Sequence, residues 1–152
     1  MHNKKLSVRI LATIVVLCLS LCACGQPKTF TPTKTPDPCS KENISEEVGK
    51  IEKLMGEFDD INYVANFTPQ AQLAEPILKL QGVRRRVEYL ESPACLDTLK
   101  SSTIEYMNQI INYLAYFMGG SPKELVNNEI YNSQNSRISY EKELARLLGI
   151  DY

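Results

Sequence analysis

The stretch LDTLKSSTIEYMNQIINYLAYFMGG, residues 96–120, decides the fold. Its apolar and aromatic side chains, with one threonine among them, recur every three or four residues: Leu96, Leu99, Thr103, Tyr106, Ile110, Tyr113 and Phe117. That spacing places them on one face of an α-helix. Gly119 and Gly120 follow, and glycine commonly ends a helix. The sequence therefore predicts a helix that begins near Ser92-Pro93 and ends near Met118.

Two more helices are predicted before this one. The first extends from about residue 40 to residue 67, and Asn62 is the one polar break in its apolar face: Ile44, Val48, Ile51, Met55, Phe58 and Ala65. The second extends from about residue 69 to residue 91, with Thr68 as its N-cap, and we expect Pro76 to bend or interrupt its first turns. Its inward residues are predicted to be Leu73, Ile77, Leu80, Val87 and Leu90.

The fourth helix is predicted from SPKE, residues 121–124, to about Leu148, with Gly149 as its stop. SPKE has the form of a capping box with proline at the first helical position. The residues expected to face inward are Val126, Ile130, Tyr140, Leu144 and Leu147. The pattern is interrupted at NSQNS, residues 132–136, where Ser133 occupies an inward position. We expect a kink or a frayed turn there, and a small polar cavity opposite Tyr113 is the alternative.

These four segments predict an all-α fold. No alternating strand pattern persists anywhere in the sequence. The connections between the helices are short, so neighbouring helices are expected to run antiparallel. The predicted architecture is an up-down-up-down four-helix bundle over residues 39–152.

Residues 1–23 have the layout of a secretory signal, because the basic start MHNKKLSVR precedes an apolar run from residue 10 to residue 21. The run is shorter than the about 20 residues that span a bilayer comfortably. It ends in Leu21-Cys22-Ala23-Cys24, which resembles the lipobox of bacterial lipoproteins. The resemblance implies cleavage after Ala23 and attachment of a diacylglycerol to Cys24. Acyl chains such as palmitate would then anchor the mature chain to a membrane.

The location that this resemblance implies is the bacterial cell envelope, on the extracytoplasmic side of a membrane. Cys22 departs from the usual pattern, in which alanine or serine is more common at that position. The competing frame LSLC would lipidate Cys22, although Leu21 is bulky for the residue before a cleavage site, and an uncleaved anchor helix is a further alternative. Residues 24–38 follow as a linker rich in proline and threonine, which is expected to be extended and semi-rigid.

Cleavage and lipidation would leave two of the five cysteines, Cys39 and Cys95. An even number in an oxidising compartment favours a disulfide. In an up-down bundle the first and third helices begin at the same end, so the bond is feasible, and two free thiols are the alternative. Residues 39 to about 120, which include CLDTLKSSTIEYMNQIINYLAYFMGG, also resemble uncharacterised bacterial extracytoplasmic helical domains. That resemblance implies a helical fold and paired cysteines, and it implies no activity.

The residues that carry most catalytic chemistry are missing. The single histidine is His2, within the signal, so Ser-His-Asp and Cys-His schemes are excluded from the mature chain. The acids Glu57, Asp59 and Asp60 are expected to be solvated surface. In the basic run of residues 84–86, Arg84 or Arg85 is expected to pair with Glu88 or Glu91 at helical spacing, and binding of phosphate head groups or of an acidic partner is the alternative. We predict no enzyme, no metal and no cofactor, and the net charge of −1 argues against nucleic-acid binding.

The remaining candidate site is a pocket between the third and fourth helices. Tyr106, Tyr113, Ser133 and Tyr140 are the residues that would line it, although core packing of the tyrosines is favoured. The predicted function is a non-enzymatic interaction or structural lipoprotein that binds another envelope protein. The alternative is a carrier of a small ligand or lipid in this tyrosine-lined pocket.

Overall fold

Residues 37–151 are described by a computed structural model, and most of them are helical. The four helices are α1 (Ile44–Asn66), α2 (Ala74–Tyr89), α3 (Asp97–Met118) and α4 (Lys123–Leu148). Short 3₁₀ turns precede α2 and α3, at Gln70–Gln72 and Ala94–Leu96. Between residues 37 and 151 there is no strand, as predicted. The predicted signal peptide, the lipidation site Cys24 and the linker up to residue 36 lie outside the described residues.

The apolar face of α1 is the one that the sequence predicts. All six residues of its predicted apolar set are buried: Ile44, Val48, Ile51, Met55, Phe58 and Ala65. Phe58 is fully buried, and its ring meets the ring of Tyr106 edge-on with centroids 6.1 Å apart. Such edge-to-face contacts add to the stabilisation that burial itself provides. The prediction for α1 is confirmed.

The start of α2 is displaced by Pro76. The chain makes a 3₁₀ turn, and the α-helix then begins at Ala74, so the proline falls in the first turn. Proline lacks an N–H group, and the first-turn amides of a helix have no intrahelical partner, so this position tolerates it. Thr68 is not the N-cap that was predicted. Its hydroxyl instead donates to the carbonyl of Val64, 2.9 Å away at the end of α1.

The core face of α3 agrees with the prediction except at its end. Leu96, Leu99, Thr103, Tyr106 and Ile110 are all buried. The buried Thr103 hydroxyl donates to the carbonyl of Leu99 at 2.7 Å, which satisfies it within the helix. Phe117, predicted to face inward, is 46% exposed. No following helical turn covers this residue, because the helix ends at Met118 and two glycines follow.

Helix α4 is continuous across the serine-rich segment, so the predicted frayed turn is wrong. Ser133 and Ser136 are buried, whereas Ile130 is exposed. The Ser133 hydroxyl donates to the carbonyl of Ile130 at 2.7 Å, so it is buried without losing its hydrogen bond. Helix α4 packs against α3 more extensively than against any other helix. Small side chains such as serine let packed helices approach closely. We call Ser133 and Ser136 the serine seam.

The predicted capping box at the start of α4 does not form. Pro122 occupies the N-cap position, and no side chain caps the helix there. Proline has no hydroxyl or carboxylate to accept a hydrogen bond from the first-turn amides. At the other end the prediction holds, because Gly149 has a φ of 67° and ends α4 in the left-handed conformation that glycine adopts readily.

A disulfide joins Cys39, before α1, to Cys95, before α3, with their Cα atoms 6.1 Å apart. Both helices therefore begin at one end of the domain, which we call the cysteine end. At the opposite, distal end Gln70 donates to the carbonyl of Phe117 at 2.7 Å. These contacts are consistent with the predicted packing of the helices. None of the helices within residues 37–151 has the length and apolar character needed to cross a membrane.

Candidate functional site

Large apolar side chains are exposed at the distal end, where α1 and α3 finish and α4 begins. We define the distal surface by five of them: Tyr63, Val64, Phe67, Phe117 and Ile130. The aromatic residues are the most prominent, since Phe67 is 74% exposed and its ring lies 5.1 Å from that of Tyr63. Single exposed apolar residues are ordinary on proteins, whereas a contiguous apolar patch is a feature of many interaction sites.

A cleft of about 220 Å³ opens within the distal surface. Its walls come from the ends of α1 and α3, the segment before α2 and the start of α4: Ala65, Asn66, Thr68, Leu73, Tyr113, Leu114, Phe117, Val126 and Ile130. Phe117 and Ile130 are both exposed, so they form part of its outer rim. The lining is mainly apolar, which suits an apolar side chain from a partner.

A second cleft, of about 260 Å³, lies between α1 and α2. It is lined by Asp60, Ile61, Val64, Pro76 and Lys79. Val64 belongs to the distal surface and is 61% exposed. One member of the distal surface, Val64, therefore also lines a second depression on the side of α1 that faces α2.

Tyr113 is held at the first cleft by two asparagines of α1. Its hydroxyl lies 2.6 Å from Asn66 Oδ1 and 3.3 Å from Asn62 Oδ1. Burial raises the pKa of Tyr113, although the hydrogen bond to Asn66 opposes that effect. Asn62 is the polar residue in the otherwise apolar face of α1. Its side-chain oxygen serves as a hydrogen-bond acceptor for Tyr113 of α3.

Tyr106 and Tyr140 lie against a different group, the guanidinium of Arg137. The Arg137 Cζ atom is 5.4 Å from the Tyr106 ring centroid and 5.5 Å from that of Tyr140. Its Nη1 donates to Asp59 Oδ2 and its Nε to Glu141 Oε1, both at 2.8 Å. One arginine of α4 therefore bridges to an acid of α1 and contacts two aromatic rings, which is a cation–π arrangement. We call these five residues the Arg137 network.

The surroundings of Arg137, Tyr106 and Tyr140 keep the arginine charged and the two tyrosines neutral. Burial alone would lower the pKa of Arg137, but the hydrogen bonds to Glu141 and Asp59 outweigh it and raise the pKa. Burial raises the pKa of Tyr106 to about 12, assisted by the charge of Asp59. Burial also raises the pKa of Tyr140 to about 12, assisted by the charge of Glu52. Neutral tyrosines and a cationic arginine suit packing and hydrogen bonding rather than nucleophilic chemistry.

The four residues predicted to line one pocket are thus divided between separate places. Tyr106 and Tyr140 meet at Arg137, and Tyr113 lines the distal cleft. Ser133 lies in the serine seam, where its hydroxyl bonds within α4. Sequence reasoning missed Arg137 and treated Asp59 as solvated surface, although its carboxylate binds Arg137 across the domain. The helical spacing of Arg137 and Glu141 was the only local signal for this network.

The other charged groups behave largely as the sequence predicts. Arg84 pairs with Glu88 at 3.3 Å, which confirms one of the expected helical ion pairs. Arg86 instead pairs with Glu57 of α1 and so links two helices. Among residues 37–151, no three histidine, cysteine or acidic side chains are grouped as metal ligands would be.

Comparison with known proteins does not add to this geometry. The chain matches no protein-family model, no curated protein and no solved structure.

Proposed function

We propose that this chain is a bacterial lipoprotein, anchored through Cys24, whose helical domain binds another envelope protein through the distal surface. The exposed apolar side chains gathered at the distal end are the observation that carries this proposal. Exposed apolar groups of this kind gain free energy when a partner removes them from water. The proposed role is structural or adaptor-like, and it requires no chemistry from the chain.

The size and lining of the distal cleft favour a protein partner. At about 220 Å³ it is smaller than the roughly 300–1,000 Å³ of typical small-molecule pockets. Its lining is mainly apolar, with Phe117 and Ile130 exposed beside it. These features suit one large apolar side chain of a partner helix, inserted as an anchor while the surrounding surface excludes water.

The carrier alternative has less support. It needs Tyr106, Tyr113, Ser133 and Tyr140 to share one pocket, and their side chains make contacts in separate places. The only one of them that lines the distal cleft is Tyr113. A bound lipid would therefore have to fit a cleft of modest volume with a single tyrosine.

We propose an up-down-up-down order for the helices. In this order the distal surface lies at the end of the domain opposite to Cys39 and Cys95. The disulfide between Cys39 and Cys95 supports an extracytoplasmic address, because such bonds persist in oxidising compartments.

The distal surface is tested by Phe67→Asp, with Tyr89→Asp as the matched control. Both residues are aromatic and highly exposed, at 74% and 79%, but Tyr89 lies at the cysteine end of α2. A charge at a buried contact centre costs a complex several kcal/mol, about a hundredfold or more in affinity. We expect Phe67→Asp to abolish in-cell crosslinking to a partner.

The control variant decides how this result is read. Tyr89→Asp should crosslink like the wild type, and both variants should keep the wild-type circular dichroism spectrum. The proposal for the distal surface fails if the two variants lose the partner equally, or if neither loses it.

The lipid anchor has its own test. Cys24→Ala should prevent incorporation of a labelled palmitate analogue in growing bacteria, whereas Cys22→Ala should leave labelling unchanged. Labelling that survives Cys24→Ala would show that Cys24 is not the acylated residue. This outcome is independent of whether the distal surface binds a partner.

A further inference from the structure

A polar groove lies between α2 and α3, away from the distal surface. Its volume is about 420 Å³, and its lining residues are Gln81, Arg84, Arg85, Asn108, Ile111 and Asn112. Two guanidinium groups and three amides thus face one opening, and no acidic residue lines it. We call it the amide–arginine groove.

The polar groups of this groove are largely free to bind a ligand. Within residues 37–151 the side chains of Gln81, Asn108 and Asn112 make no hydrogen bond, and Arg85 has no ion pair. Arg84 has one partner, Glu88, at the long distance of 3.3 Å. A helical bundle needs none of these five polar side chains in such an arrangement to hold its core together.

The donor and acceptor inventory indicates the chemistry of the ligand. Guanidinium groups only donate hydrogen bonds, and they suit a carboxylate or a phosphate. An amide side chain offers a carbonyl acceptor as well as two N–H donors. A bare anion accepts hydrogen bonds only, so it would make no use of the three amide carbonyls, which would stay hydrogen-bonded to water. A ligand that combines an anionic group with several hydroxyls would satisfy both sets.

We infer that the amide–arginine groove binds an anionic saccharide, a sugar that carries a carboxylate or a phosphate. Arg85, with Arg84 beside it, would receive the anionic group. Gln81, Asn108 and Asn112 would exchange hydrogen bonds with the hydroxyls. The volume of about 420 Å³ lies within the roughly 300–1,000 Å³ of small-molecule pockets.

This site is independent of the distal surface. The groove residues come from the middle of α2 and α3, and none of them lines the distal cleft. Failure of partner binding at the distal surface therefore leaves the saccharide site intact, and the reverse also holds.

Calorimetric titration of the detergent-solubilised full-length chain tests the inference. Digalacturonic acid supplies the carboxylate, glucose 6-phosphate supplies the phosphate, and glucose and inorganic phosphate are the two half-ligands. We expect at least one charged sugar to bind more tightly than both half-ligands. Its saturation should also shift the side-chain amide resonances of Asn108 and Asn112 in NMR spectra.

Arg85→Gln is the decisive variant, and Arg86→Gln is its control. Both remove one positive charge from adjacent positions of α2, but Arg86 pairs with Glu57 and does not line the groove. Loss of a hydrogen bond to a charged group costs about tenfold or more in affinity. We therefore expect Arg85→Gln to weaken binding of the charged sugar about tenfold and Arg86→Gln to leave it nearly unchanged.

Several results would overturn the inference. The first is that neither charged sugar binds. The second is that inorganic phosphate binds as tightly as glucose 6-phosphate, which would mean that the amides take no part. The third is an equal loss with Arg86→Gln, which would indicate general charge attraction. Tighter binding of an acidic peptide than of both sugars would assign the groove to a different class of ligand.

Discussion

Removal of the disulfide should lower the free energy of unfolding of the domain by about 4 kcal/mol. The change is the double substitution Cys39→Ser with Cys95→Ser. Cys39 is exposed and Cys95 is only partly buried, so the substitutions remove little packing in the folded state. The effect is therefore expected to arise in the unfolded chain, which becomes free to expand.

The magnitude comes from the length of the closed loop. The bond joins residues separated by 56 positions. In the chain-entropy treatment, closing a loop of that length in the unfolded state is worth roughly 4 kcal/mol at room temperature. Small domains have a total stability of about 5–15 kcal/mol, so this one bond contributes a large fraction of it.

Urea unfolding followed by far-UV circular dichroism measures the effect. The double variant should unfold at a lower urea concentration than the oxidised wild type. Its transition should also be steeper, because an unfolded chain without the cross-link exposes more surface. Reduced wild-type protein should match the double variant, whose own curve should not change when a reducing agent is added.

A difference of less than about 1 kcal/mol between the oxidised and reduced wild type would refute this reasoning. So would a double variant that loses stability while the reduced wild type does not. In the first case the unfolded chain would already be compact without the bond. In the second case the cysteine side chains themselves, rather than the cross-link, would be the source of the stability.

Two further predictions concern packing and ionisation. Ser136→Leu in the serine seam should lower the free energy of unfolding in urea by about 1–3 kcal/mol, because a larger side chain overpacks its buried site. The exposed control Ser139→Leu should be nearly neutral, and equal effects would contradict tight packing at Ser136. Because burial raises the pKa of Tyr106 from 10.0 to about 12, the unfolded chain releases this proton first. Stability should therefore fall as the pH rises from 10 towards 12. Tyr106→Phe should reduce that fall, and an unchanged pH profile would contradict the assignment.

The helices of this domain could be predicted from sequence because their apolar residues have a regular period. In α1 every predicted inward residue is buried, since no competing feature interrupts the spacing between Ile44 and Phe58. The end of α3 shows the limit of such reasoning. Phe117 has the correct spacing, but burial also requires a neighbour, and the chain ends the helix one residue later.

The serine seam could not be found from hydrophobic periodicity. That method treats Ser133 and Ser136 as polar interruptions, whereas the structure buries both on a helix that packs mainly against α3. Hydroxyls that bond to a carbonyl of their own helix can be buried at little cost, as Ser133 shows. Size and local hydrogen bonding, rather than polarity, decide the outcome here.

The Arg137 network was beyond sequence reasoning for a different reason. Arg137 and Asp59 are 78 positions apart, and only the packing of α4 beside α1 brings them to 2.8 Å. The spacing of Arg137 and Glu141 indicated a local ion pair and nothing more. The distal surface was likewise hidden, because its members come from the ends of different helices.

The bond between Cys39 and Cys95 also determines how the domain bears mechanical load. Tension applied between the chain before Cys39 and the end of α4 passes through the sulfur atoms directly to α3. The enclosed segment, which includes α1 and α2, is bypassed. The residues joined by the bond are 56 positions apart. At about 3.4 Å per extended residue, the enclosed segment has an extended length of roughly 190 Å, and it cannot be stretched while the cross-link is intact.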